Sequence, residues 1–243
     1  LLVCVLFCCS VPVFPHYSIL KSESGMKAIA YLPKGFDAET HYPLLIALHG
    51  MRENMYTSYH RWQDVANTLN MILLCPEGSD YQHSFLRQPT DDLAAVATLY
   101  EMMQKRYKIK ENDTLLLGFS RGGNIAIELG VRYPNKFPNV ISFFGFFNDT
   151  IVSQLYHRLD PIKFHRSQFI LITGKGDLTE PSIKRGTQFF TDRDIRVHLW
   201  RYQNLWHALP PNLMEIMGQV QEALQSGRSL VLELNSPSGS SSL

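Results

Sequence analysis

The sequence lacks most of the features that would assign it at a glance. It has no apolar run of the roughly 18 residues that suggest a membrane span; its one long uncharged apolar stretch, Leu1–Cys9, is far shorter. It has almost no net charge, since 23 Lys+Arg against 22 Asp+Glu leave +1. That balance argues against nucleic acid or an anionic membrane surface as the main partner. Three of its four cysteines, Cys4, Cys8 and Cys9, sit in that first stretch, which leaves Cys75 alone in the body of the chain. A lone cysteine makes no internal disulfide, and there is no cysteine cluster of the kind that holds zinc. No internal repeat is visible. What remains is an ordinary globular composition, 45% hydrophobic in 243 residues, which is enough for one domain or at most two.

Leu1–Cys9 carries no charge and reads as the hydrophobic region of a secretory signal whose start is missing. A buried first strand is the alternative. A leucine-rich run ending in Cys8 or Cys9 also suggests a lipoprotein signal, although the small residues expected before the cysteine are absent. Cys75, in the apolar run Ile72–Cys75, is expected to be simply buried.

The body of the chain alternates strand-like and helix-like stretches. Met26–Leu32 is a strand closed by Pro33-Lys34-Gly35. Tyr42–Leu48 is apolar on both parities, as a strand covered on both faces would be. Met51–Arg61 is polar and aromatic and reads as a long loop, and Trp62–Leu69 as a helix. Met71–Cys75 is another buried strand, and Glu77–Gln88 a surface loop. Asp91–Lys105 is the clearest helix, with acids at its start and Leu93, Val96, Leu99 and Met103 along one face. Strands are then expected at Thr114–Leu117, Val140–Phe144, Phe169–Thr173 and Ile195–Tyr202. Helices are expected at Arg121–Tyr133, Pro181–Thr191 and Pro210–Leu224. Ser229–Leu234 has the pattern of an extra edge strand, and Asn235–Leu243 is a Ser/Gly-rich end expected to be disordered. The alternation implies a doubly wound, mostly parallel α/β sheet with function at the carboxyl ends of its strands. The stretch between Phe144 and Phe169 is too short for a large lid.

The most informative residues are Gly118-Phe119-Ser120-Arg121-Gly122, which follow a strand and open a helix. This is the nucleophile-elbow pattern, G-x-S-x-G in strand–turn–helix context. A serine on so sharp a turn stands clear of the sheet, where a base and a substrate both reach it. The alternative is a tight turn that needs glycines and carries an idle serine. A serine hydroxyl needs a base to activate it and a carboxylate to orient that base. Of nine histidines, His207 lies in a loop just beyond the last core strand, at the functional end. His198 lies mid-strand, His157 and His165 near a helical connection, and His60 and His83 in loops that could reach substrate. Asp177 follows a strand behind Gly174 and Gly176, with Asp149 and Glu180 as substitutes. The order Ser120, Asp177, His207 is the one this elbow type uses. After a buried strand, His49-Gly50 brings the amide of Met51 into position as an oxyanion donor alongside that of Arg121. The His49 side chain reads as structural. Tyr56, Tyr59, Trp62, Phe119, Phe146, Phe147 and Trp206 gather near this end, and Phe119, Trp206 and Phe146 are the expected substrate contacts.

Taken together, Leu48-His49-Gly50, Gly118-Phe119-Ser120-Arg121-Gly122-Gly123, Gly174-Lys175-Gly176-Asp177 and Trp206-His207 resemble the α/β-hydrolase fold family. Tyr31–Phe36 leading into Tyr42–Gly50 is similar to secreted esterases of the feruloyl esterase and polyhydroxybutyrate depolymerase type, and to the carboxylesterase/phospholipase group. The resemblance implies a serine esterase with Ser120 as nucleophile, His207 as base and acid, and Asp177 as orienting carboxylate. It implies no metal or organic cofactor and a small-molecule ester as partner. Membrane association is expected only through a lipid on Cys8 or Cys9, and the destination is export, secreted or periplasmic. The expected division is a signal segment at 1–15, a catalytic domain at 16–228 and a disordered tail at 229–243. A peptidase or thioesterase on the same fold and a non-catalytic binding protein are the competing readings.

Overall fold

In the computed structural model, residues 17–235 are described. The expected signal segment, with Cys8 and Cys9, and the last eight residues, 236–243, lie outside them. Among the described residues, nine strands form one sheet. They are β1 (Tyr17–Lys21), β2 (Lys27–Tyr31), β3 (Tyr42–Leu48), β4 (Ile72–Pro76), β5 (Ile109–Phe119), β6 (Asn139–Phe143), β7 (Gln168–Gly174), β8 (Arg196–Tyr202) and β9 (Val231–Leu234). Their order across the sheet is β1-β2-β4-β3-β5-β6-β7-β8-β9. From β4 through β9 every pairing is parallel, while β2 pairs antiparallel with both β1 and β4.

The apolar strands divide their residues between two cores. Leu44, Ile46, Leu48, Leu116, Val140 and Leu171 face one layer, which contains α2 (Asp92–Arg106), α3 (Arg121–Arg132), α4 (Asp149–Tyr156) and α5 (Glu180–Thr191). Leu45, Ala47, Leu117, Ile141, Ile170 and Trp200 face the other, made by α1 (Met55–Thr68) and α6 (Leu213–Ser226). A strand covered on both faces gains by being apolar at every position, which is why these stretches carry no period-2 signal. Cys75 on β4 is fully buried, and burial holds its thiol pKa well above the usual value. The mostly parallel doubly wound sheet is therefore the expected one, and the segment from β6 to β7 holds only the short α4 and a 3₁₀ turn at Pro161–Phe164.

Three local expectations need correction. Met51–Arg61 is not loop throughout: α1 begins at Met55, capped by the Asn54 side chain, which accepts the Thr57 amide at 3.0 Å. Met55, Tyr59 and Trp62 are its buried face, so the helical spacing starts a full two turns earlier than Trp62 alone suggests. Tyr17–Lys21, for which the sequence set no expectation, is an edge strand that forms a hairpin with β2. β5 starts at Ile109, because its pairing with β3 shifts register between Tyr42 and Leu44 and absorbs a positive-φ residue, Asn112, at φ 63°. Finally, the extra edge strand read at Ser229–Leu234 is present as β9, which pairs in parallel with β8 from Leu199↔Val231 to Tyr202↔Leu234, so the expected tail at 229–243 does not begin at 229.

Candidate active site

The site begins with a strained turn. Ser120 has φ 52° and ψ −118°, a conformation that costs a non-glycine residue roughly 1–3 kcal/mol. The surroundings impose it. The Ser120 amide donates to the Phe143 carbonyl at 2.8 Å, and its carbonyl accepts the Asn124 amide at 3.2 Å. A Cβ on Gly118 would lie 2.2 Å from the Gly122 carbonyl carbon, and one on Gly122 would lie 2.4 Å from the Leu48 carbonyl oxygen. The two motif glycines thus allow β5, α3 and the end of β3 to meet at one point. The side chain of Ser120 projects over the carboxyl edge of the sheet.

His207 reaches it from the loop after β8. Its Nε2 lies 2.9 Å from Ser120 Oγ. The loop gets there by crossing Gly174, where any Cβ would lie 1.8 Å from the Leu205 carbonyl oxygen. The imidazole is flanked by Phe119, at 5.6 Å between centroids, and Phe144, at 5.8 Å. Asp177 holds it from behind. Asp177 Oδ2 accepts the His207 backbone amide at 2.9 Å and lies 3.5 Å from His207 Nδ1. Oδ1 accepts the Thr179 amide at 2.8 Å and the Thr179 hydroxyl at 2.7 Å. Burial works against the Asp177 charge, but these hydrogen bonds outweigh it and hold the carboxyl below its usual pKa. The two substitute acids are engaged elsewhere. Asp149 pairs with Arg185, and Glu180 pairs with Lys184 and Arg201.

The loop after β3 lies alongside. His49 is buried, and its two ring nitrogens are both tied to backbone. Nε2 accepts the Gly78 amide at 3.0 Å, so Nδ1 is the protonated nitrogen and donates to the Gly50 carbonyl at 2.9 Å. Burial lowers its pKa, which favours this neutral tautomer. Among the described residues, neither the Met51 nor the Arg121 amide donates a hydrogen bond to the protein.

The expected aromatic cluster splits in two. Tyr59, Trp62 and Phe147 are core residues, whereas Tyr56, Phe146 and Trp206 are exposed and Phe119 is half-buried. Of the loop histidines, His60 is on α1 and His83 pairs with Asp80. Sequence reasoning missed the exposed Tyr81 and Leu178 on neighbouring strand-end loops, and a Glu53–Arg61 ion pair beside Gly50. Among the described residues no group of three acidic, His or Cys side chains is arranged to hold a metal. Nor is any helix there long and apolar enough to cross a membrane.

A family described as "Putative esterase" matches residues 21–241. The chain belongs to this esterase family. A curated relative of the esterase, the bifunctional acetylxylan esterase/xylanase XynS20E of Neocallimastix patriciarum, is 31% identical over 96 residues. That match spans 39% of the chain but only 14% of the relative. Among solved structures, a ferulic acid esterase superposes with a TM-score of 0.68 at 16% identity, covering 85% of the chain and 97% of its own. FphF, a fluorophosphonate-binding serine hydrolase of Staphylococcus aureus, superposes at 0.70 and 14% identity, over 86% and 97% of the two chains. At these identities the likeness is one of fold, and the fold is the α/β-hydrolase fold.

Proposed function

We propose that this esterase hydrolyses carboxylic esters through a covalent acyl-enzyme, with Ser120 as nucleophile, His207 as general base and acid, and Asp177 as the orienting carboxylate. The observation that carries the reading is the 2.9 Å contact between His207 Nε2 and Ser120 Oγ on a strained turn. Nε2 takes the Oγ proton as Oγ bonds to the ester carbon, and the carbonyl π pair moves onto oxygen. The Met51 and Arg121 amides then hold that oxyanion, each worth about 10²–10³ in rate. When the oxyanion collapses, the bond to the alkoxy oxygen breaks and Nε2–H protonates the departing alcohol. Water repeats the sequence, giving its proton to Nε2 and its oxygen to the acyl carbon, and Ser120 leaves with a proton restored. Every proton handled is returned, so the cycle requires no metal or organic cofactor.

The substrate reading is a small-molecule ester with an apolar or aromatic portion. Phe119, Trp206 and Phe146 are its proposed contacts, supported by the exposure of Trp206 and Phe146 at the strand ends and the half-exposure of Phe119 beside His207. The catalytic unit is proposed as 16–228 extended by β9, which pairs with β8. Export, with or without a lipid on Cys8 or Cys9, rests on the apolar residues 1–15. The test is hydrolysis of p-nitrophenyl esters from acetate to palmitate, with Ser120→Ala as the blank. Turnover that vanishes in the variant supports the reading, and its chain-length profile sizes the acyl site. A folded protein that matches buffer refutes ester hydrolysis and favours the peptidase, thioesterase or binding readings.

A further inference from the structure

The loop that carries the Met51 amide is fastened by a side chain. Glu53 Oε2 accepts the Gly50 amide at 2.8 Å. The same carboxylate is gripped by Arg61, Nη2 to Oε1 at 2.8 Å and Nη1 to Oε2 at 3.2 Å. Arg61 lies two turns into α1, and its guanidinium carbon sits 5.7 Å from the centre of the Phe119 ring. The His207 ring lies 5.6 Å from the same ring, centroid to centroid. Gly50 is wedged into this chain, for a Cβ there would lie 3.3 Å from Glu53 Oε2 and 3.4 Å from Phe119 Cδ1. Both charged side chains are about three-quarters or more buried, at 25% exposure for Arg61 and 20% for Glu53. Burial disfavours the Glu53 charge, yet Arg61 and the Gly50 amide together hold its pKa below the usual value. The carboxylate is therefore ionised one peptide unit from a proposed oxyanion donor. Alone, it would repel the negative charge that develops there. Paired with Arg61, it keeps its grip on Gly50 while its field is largely cancelled.

We propose that Glu53 is a positioning residue for ester hydrolysis, fixing the Met51 amide through its bond to Gly50, and that Arg61 neutralises Glu53 so that this bond does not oppose the oxyanion. The inference rests on the proposed Ser120 mechanism. It deepens that mechanism by assigning a residue to the oxyanion loop that neither motif nor resemblance supplies. It also predicts a dependence on charge balance, which a purely structural ion pair would not produce.

The test compares wild type, Glu53→Ala, Glu53→Gln, Arg61→Met and the Glu53→Gln/Arg61→Met double variant. The readouts are p-nitrophenyl butyrate kinetics, the rate of Ser120 labelling by a fluorophosphonate, and thermal unfolding. Glu53→Ala is expected to lose about 10²-fold in kcat, with KM within about threefold, because a loop shift of about 1 Å is felt in the transition state. Glu53→Gln keeps an acceptor for Gly50 and should stay within about tenfold of wild type. Arg61→Met leaves the carboxylate uncompensated and should fall about 10²-fold, while the double variant returns to the level of Glu53→Gln. A folded Glu53→Ala protein with wild-type kcat overturns the proposal. So does a double variant no faster than Arg61→Met, a comparison that stands even where Glu53→Ala fails to fold. If wild type neither turns over nor labels at Ser120, the hydrolase reading falls and takes this inference with it. If wild type labels and Glu53→Ala labels at the same rate, only the role of Glu53 falls.

Discussion

Asp177 has two tasks. One oxygen fixes its own turn through Thr179 and the other addresses His207, through both the backbone amide and the ring. Asp177→Asn would keep most of the turn's hydrogen bonds but present an amide to the imidazole, favouring the wrong tautomer. The expected result is a loss of about 10⁴ in kcat with unfolding temperature nearly unchanged, read by ester kinetics beside a thermal melt. Because the Asp177 carboxyl is held below its usual range, it stays ionised through the neutral and mildly acidic range. The placement of Asp177 beside His207 was legible in the sequence, since two glycines after a strand announce a turn that brings a carboxylate back toward the sheet. Glu53 was not. Its partners, the Gly50 amide and Arg61, lie on either side of it in a stretch whose helix start was hidden, and a carboxylate in an apparent loop has no visible work.

The helices and strands matter here through where they touch. β5 and α3 meet at the Gly118–Gly122 pair, and α3 presses on the end of β3 through Gly122. Gly122→Ala drives a methyl into the Leu48 carbonyl, so β3 and the His49-Gly50 loop must retreat. The expected cost is about 1–3 kcal/mol of stability, measured as a lower denaturant midpoint at unchanged slope, accompanied by loss of turnover. The doubly covered strands were easy to read because continuous burial leaves a continuous apolar signature. The elements that were hard to read are the ones covered on one side or at an edge. β1 is half-exposed, and the first turns of α1 mix His60 and Arg61 with the buried Met55 and Tyr59, so their 3.6-residue rhythm is diluted. β9 carries only four residues, half-buried at most.

Over the whole molecule, the core shared by α1 and α6 is lined in part by a row of buried polar-bearing side chains on β8. His198, Trp200 and Tyr202 are all buried, and their side-chain polar atoms have no protein partner among the described residues. Burial, with Arg196 adding to it, lowers the His198 pKa, so the folded chain resists protonation there. The unfolded chain takes up that proton below about pH 6.5. Stability linked to His198 is therefore complete above that pH and drains away as pH falls through it toward the depressed folded value. His198→Leu removes both the unpaired nitrogens and the linkage. Its unfolding temperature should match or exceed wild type at pH 8, and the gap should widen at pH 5, as calorimetry at the two values would reveal.

The backbone at Ser120 has a practical consequence for anyone improving this protein. Glycine adopts φ 52° without the steric cost, and even after its own loss of chain entropy, about 0.5–1 kcal/mol, Ser120→Gly should unfold about 1 kcal/mol harder than the parent. A mutant library sorted only for expression, protease survival or heat tolerance would thus enrich a change that erases the proposed nucleophile. Selection for robustness and selection for turnover pull in opposite directions at this codon, so any screen must read product.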